Sequence, residues 1–358
     1  MEYKKPGISL ILSGILLLLM LIVMLITDAN PIGLSKNAMT KLVKPKTVLE
    51  LSGQLASAGN GYLFHLDKQT LRKINLKGDS LWERQISSGQ VVWMGPGGFI
   101  TLDGDHMAFW DDNGQVVFSK EGSLEAIRVL NVSGDFILFS GKSQEQEHVA
   151  LMNNKGVVLW VVPADGTVIS GSVSYSGLFA AVNLVDSKVH GQIHYIDSLG
   201  QKVWEKSSED LILALELVKD QVCAVAEGQV FMVDRDGHEL WKYDLEGELS
   251  SVHISRDGYT ALCIKVQKGS LSQQEQPKLL MISSEGKLLW SYALNSVPED
   301  IHIGQNTVFV ADADEIMAFS RDGLLMSSFN LSGQKQLQIV DSSHIILNQG
   351  RKALTLQF

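Results

Sequence analysis

His190 and His194, in His-Gly-Gln-Ile-His, stand four residues apart, the spacing at which two imidazoles on a helix can hold a metal ion. Gly191 lies inside the pair, however, and the pair spans a turn into a strand, so the helical geometry fails. Two clusters could supply carboxylates to a calcium ion: Asp103, Asp105 and His106, and Asp312, Asp314 and Glu315. Both sit between short apolar runs and read as solvated turns. The two cysteines, Cys223 and Cys263, occupy apolar strand-like positions in Val-Cys-Ala-Val-Ala and Ala-Leu-Cys-Ile-Lys. Buried small hydrophobes of this kind are inert, and a disulfide would need their Cα atoms within about 7 Å. Asn131-Val-Ser133 and Asn330-Leu-Ser332 match the glycosylation sequon, a pattern that chance supplies often. There is no nucleophile elbow, no phosphate-cradling loop and no carboxylate pair at a readable spacing. The expectation is a protein that is not an enzyme, with no catalytic, cofactor-binding or metal-binding residues and no cofactor.

The composition narrows the class. Of the 358 residues, 45% are hydrophobic and 20% charged, which excludes disorder, collagen and coiled coil as whole-chain readings. Mean hydropathy is +0.09, too low for a polytopic membrane protein. The 32 glycines imply many turns, and two cysteines cannot staple a disulfide scaffold.

One segment stands apart. Residues 7–26, Gly-Ile-Ser-Leu-Ile-Leu-Ser-Gly followed by a nearly pure Leu/Ile/Met/Val run, carry no charge. That is enough helix to cross about 30 Å of hydrocarbon. The run is longer than a signal-peptide core, and Thr27-Asp28-Ala29-Asn30-Pro31 is a poor cleavage site. The expected organisation is a short cytoplasmic tail (1–6), a transmembrane helix (7–27), a stalk (28–46) and a folded domain (47–358). Lys4 and Lys5 favour an N-terminus inside, with the domain outside the cytoplasmic membrane. Residues 1–46 hold six lysines and two acids, leaving the domain with 24 basic and 38 acidic residues, a net −14. Such a domain repels phosphate backbones, so no nucleic-acid partner is expected.

The domain repeats itself. Asn75-Leu-Lys-Gly78, Asp111-Asp-Asn-Gly114, Asn153-Asn-Lys-Gly156, Asp197-Ser-Leu-Gly200, Asp234-Arg-Asp-Gly237, Ser283-Ser-Glu-Gly286 and Ser320-Arg-Asp-Gly323 share one pattern. A large apolar side chain follows each glycine by about four residues: Trp82, Phe118, Trp160, Trp204, Trp241, Trp290 and Met326. Five of the seven tryptophans fall at this one place. Asp, Asn or Ser opens the turn by accepting bonds from amides two or three residues on. Glycine then supplies positive φ for a tight hairpin, and a strand resumes with its aromatic facing a packed surface. Short apolar strands flank every motif, and no helical stretch follows Ile26.

About 40 residues per unit, four strands and a recurrent aromatic describe a β-propeller blade of the broad WD40-like kind. Asp234 to Trp241 and Asp197 to Trp204 resemble the tryptophan-docking repeat of PQQ-like propellers, the quinoprotein alcohol dehydrogenase-like family. The resemblance covers nearly all of residues 47–358. It implies that the motif tryptophans dock between neighbouring blades, with Phe118 and Met326 as substitutes. Quinoprotein enzymes of the family add a base, a calcium site, a vicinal cysteine pair and long insertions. This chain has no adjacent cysteines, and its ring is short.

Seven motifs give seven blades. An eighth forms if Thr47-Val-Leu-Glu-Leu-Ser52 joins the C-terminal strands, which removes an open edge. The expected fold is all-β, an eight-bladed propeller with seven blades as the alternative. The expected function is a membrane-anchored scaffold for envelope proteins or wall polymer. A degenerate quinoprotein-like ligand-binding protein or enzyme with its site at the axis is the second reading, and the sensing ectodomain of a signalling complex is the third.

Overall fold

The computed structural model describes residues 45–86, 89–267, 275–330, 333, 336–340, 344–349 and 352–358. The expected tail, membrane helix and nearly all of the stalk lie outside them. Among the described residues, no helix is long and apolar enough to cross a membrane.

The domain is a β-propeller of eight four-stranded antiparallel blades. Blades 1 to 7 are continuous in sequence: 54–85, 90–121, 125–163, 167–208, 212–244, 248–293 and 300–330. Blade 8 takes its three inner strands from 336–357 and its outermost strand, Lys46–Ser52, from the start of the domain. Lys46–Ser52 runs antiparallel to Lys352–Gln357, with Glu50 opposite Leu354 and Leu51 opposite Ala353. Asn348, in the second strand of blade 8, reaches across to blade 1. Its side-chain carbonyl accepts from Leu55 N and its amide donates to Leu55 O, both at 2.8 Å.

Strand composition follows position in the blade. The second strand is sandwiched between neighbouring blades and is apolar on both faces: Val222, Cys223, Ala224, Val225 and Ala226 are all 0% exposed. The outermost strand alternates, as Glu239–Asp244 does, because only one of its faces meets another blade. The eight apolar core clusters each bridge two consecutive blades. Blade 5, for example, buries Val222, Ala224 and Phe231 with blade 4 and Cys223, Val225 and Met232 with blade 6. The alternating faces of a single strand therefore serve two different interfaces. The innermost strands of blades 1 and 2, and of blades 3 to 8 in succession, touch around the axis, and Gln54–Gly59 touches blade 8 to close the ring.

Candidate functional site

The repeated turns have one geometry. The side-chain oxygen of Asp234 accepts from Asp236 N at 2.9 Å and His238 N at 2.8 Å. Asn75, Asp111, Asn153 and Asp197 do the same. The amides lie two and four residues on, one farther than the sequence spacing predicts, because the glycine adds a residue before the strand resumes. That glycine has positive φ in all seven turns, from +70° to +90°.

The motif aromatics lie against the turn of the next blade. A Cβ on Gly286 would stand 2.5 Å from Trp241, and one on Gly323 would stand 2.6 Å from Trp290. Trp82 packs on Gly114, Phe118 on Gly156, Trp160 on Gly200 and Trp204 on Gly237. Four indole N–H groups donate to a carbonyl of that turn: Trp82 to Asp112, Trp204 to Arg235, Trp241 to Ser284 and Trp290 to Arg321, at 2.7–3.2 Å. Trp160 is more buried, yet its N–H finds no acceptor among the described residues.

Two positions differ from the sequence reading. The residue four after Gly323 is Ser327, and the register pairs Ser327 with Ala318 as it pairs Trp290 with Met281. Met326 stands one place earlier, as the extra residue of a bulge between Leu325 and Ser327, so the docking register falls to Ser327 rather than to it. The turn of Gly78 is met by Leu49, whose Cδ1 would lie 3.0 Å from an added Cβ. Leu49 comes from the N-terminal strand of blade 8, which no turn motif precedes, so the repeat gives no signal for it.

The axis holds the polar site. Ends of the innermost strands and the adjoining turns line a cavity of about 800 Å³ that includes Asn131, Glu216, His253, Arg256, Asp257, His302, Arg321 and Gln338. Glu216, on the blade 5 strand, accepts from Ser172 of blade 4, and Arg256 of the blade 6 turn lies in its field. Burial outweighs both and raises its carboxyl to about 7. His253 of blade 6 and His302 of blade 7 lie with ring centroids 4.3 Å apart. Burial, reinforced by the second imidazole, lowers His253 to about 3, and burial also lowers His302. His253 Nδ1 accepts from Ile303 N at 3.3 Å, which leaves the proton of the neutral ring on Nε2. Arg321 spans the same two blades. It donates to both Asp257 oxygens at 2.7 and 3.2 Å and to Gly304 O at 3.1 Å, and stacks on Tyr259 at 4.5 Å. Sequence reasoning passed over these groups. Glu216 comes from blade 5, His253, Arg256 and Asp257 from blade 6, and His302 and Arg321 from blade 7, and the ring brings them together.

The groups singled out by chemistry in the sequence fall elsewhere. His190 lies in a turn beside Asp186, while His194 is buried beside Glu205. Asp103, Asp105 and His106 form the turn between two blade 2 strands. Asp312 accepts from the amides of Asp314 and Glu315. Among the described residues, no group of three or more His, Cys, Asp or Glu is placed to hold a metal ion. Cys223 and Cys263 are buried and unbridged, and burial raises the Cys223 thiol to about 12. Asn131 sits inside the ring, its side chain accepting from Val173 N at 3.4 Å. Of the second sequon, Leu331 and Ser332 lie outside the described residues.

Comparison with known proteins agrees with this architecture. Residues 226–350 match a family model described as outer membrane protein assembly factor BamB. No curated protein matches the chain. The crystal structure of BamB from Moraxella catarrhalis superposes with a TM-score of 0.59 at 14% identity, covering 88% of this chain and 100% of that one. The WD40 domain of SCAP from fission yeast gives 0.56 at 8% identity, covering 88% and 98%. The Neurospora crassa Pan2 WD40 domain gives 0.51 at 10% identity, covering 87% and 95%. The chain is a β-propeller, and its residues 226–350 are similar to the PQQ-like repeat of that family model.

Proposed function

We propose that this protein is a non-catalytic propeller scaffold that binds other proteins. One observation carries the reading: the charged and aromatic groups that the ring gathers are engaged in joining blades. Arg321 and Asp257 clamp blade 6 to blade 7, His253 takes an amide of blade 7, and the motif tryptophans cap turns of the next blade. The family model matched by residues 226–350 describes an assembly factor, which supports the same reading. The uncharged run at 7–26, with Lys4 and Lys5 before it, supports a membrane anchor with the propeller outside the cytoplasmic membrane, facing envelope proteins or wall polymer. Crosslinking in intact cells, followed by identification of what is captured, tests the scaffold. A reproducible protein neighbour is expected. A reporter fused after Phe358 tests the topology, and reporter activity in the cytoplasm would reverse it.

The second reading, a small-ligand site at the axis, is favoured by the cavity and by Glu216 opposite Arg256. Mass spectrometry of the gently purified full chain distinguishes the two. A bound small molecule lost in Glu216→Gln, with no captured protein, would replace the scaffold by a ligand-binding ring.

A further inference from the structure

The outermost strands of blades 1 to 7 share a face that looks away from the next blade. Five residues after the turn glycine, that face carries Glu83, Ser119, Glu205, Lys242, Ser291 and Ser328 in six of the blades. Blade 3 carries Val161 there. From Gly156 to Ala164 the sequence is Gly-Val-Val-Leu-Trp-Val-Val-Pro-Ala, without one polar side chain. Trp160 is buried, but Val157, Val158, Leu159 and Val161 are 53%, 38%, 42% and 41% exposed. Val158–Pro163 pairs on one side with Gln146–Asn153, and its other edge pairs with no described strand. Natural edge strands are protected by charge or proline; this one carries no charge, and only Pro163 at its end blunts it.

A second feature adjoins it. Between blades 2 and 3 lies a crevice of about 160 Å³ lined by Met107, Leu124, Phe139 and Met152, and by the exposed Val158 and Val161. A free edge supplies backbone bonds to an incoming strand, and an apolar pocket beside it supplies side-chain selection. Charge indicates what flanks the incoming strand. Glu121 lines the crevice and is exposed, whereas Asp165, two residues beyond the strand and 66% exposed, is already paired with Lys202 at 3.5 Å. The nearest ammonium in the crevice, Lys120, already donates to Gly156 O at 2.5 Å.

We propose that the outer strand of blade 3 is a docking edge for an extended segment of a partner protein, apolar at alternate residues, with one large aliphatic or methionine side chain seated in the crevice and a basic residue flanking it. The incoming strand extends the blade 3 sheet beside Val158–Pro163. This rests on the scaffold reading and names the surface that performs it.

Random peptides displayed on phage and selected against the immobilised full chain test the edge. The expected binders alternate apolar residues beside Lys or Arg. Val161→Lys should weaken their binding at least about tenfold, since a charge is forced into an apolar edge. Val203→Lys, on the neighbouring blade, should leave binding unchanged. Both sites are more than 40% exposed, so both variants should fold, and equal melting temperatures check this. Binders indifferent to Val161→Lys would overturn the edge while leaving the scaffold in place. A dimer of the free chain that Val161→Lys dissociates would also overturn it, by making the occupant a second copy. Failure to select any peptide, together with no crosslinked neighbour in cells, would remove both readings.

Discussion

Gly286 and Gly61 have nearly the same backbone, φ +77° and +75°, but different surroundings. A Cβ at Gly286 meets Trp241 at 2.5 Å, whereas one at Gly61 meets nothing within 4 Å. Alanine at Gly61 should therefore cost only the left-handed strain, about 1–2 kcal/mol. Alanine at Gly286 should add displacement of the indole and cost about 2–4 kcal/mol. Urea unfolding of the two variants isolates the tryptophan contact from the backbone, and equal losses would mean that Trp241 yields freely. Ionisable residues at the axis give a second test. Glu216 titrates near 4.5 unfolded and about 7 folded. Between those values the folded chain holds a proton that the unfolded chain has released, so stability falls as pH rises through the window. Glu216→Gln should abolish that fall, on the order of 3 kcal/mol. His253 acts in the opposite sense. Its folded value of about 3 lies below the unfolded 6.5, so stability is lost as pH drops through that interval, and His253→Gln should flatten the acid limb. Stability curves between pH 3 and 8 read both limbs together.

A blade is legible in sequence where its chemistry is local. Asp234, Gly237 and Trp241 fall within eight residues, and the turn they form needs nothing from elsewhere in the chain. Leu49 fills the same slot over Gly78 with no motif before it, because its strand enters blade 8 from the other end of the domain. Ser327 was hidden for a different reason. A small hydroxyl at a docking position looks like solvent-facing polarity until the register shows it 1% exposed. Glu216, His253 and His302 belong to three blades but share one repeat position, sixteen residues after Gly200, Gly237 and Gly286, so the repeat carried a signal for them that their separate side-chain types concealed. Leu49→Ala should cost about 2–3 kcal/mol, the loss expected of a partly buried leucine. Val48→Ala, at the bulge beside it and outside the apolar cluster that Leu49 joins, should cost less. Guanidinium unfolding of both variants tests whether the first strand is docked like the others.

No blade of this ring carries a core of its own, and that decides how the whole molecule fails. Each of the eight apolar clusters takes residues from two blades, so opening one joint strips one face from both. The joint at risk is the one made from the two ends of the domain. There Lys46–Ser52 covers the edge of Lys352–Gln357, and Leu49 and Leu51 pack with Leu55, Leu63, Ile74, Ile346 and Ala353. Asn348 adds two bonds to Leu55 that tie blade 8 to blade 1. Removing residues 46–52 uncovers that edge and part of that cluster together. A chain starting at residue 54 should therefore unfold at a lower urea concentration and in one transition, with tryptophan fluorescence and far-ultraviolet dichroism coinciding. Asn348→Ala should produce the same single transition with a smaller loss, about 1–3 kcal/mol, because two buried backbone groups lose their partner while the strand stays paired. If the fluorescence and dichroism curves separate, the blades fold as independent units. If the shortened chain melts like one starting at residue 45, the N-terminal strand does not hold the ring closed.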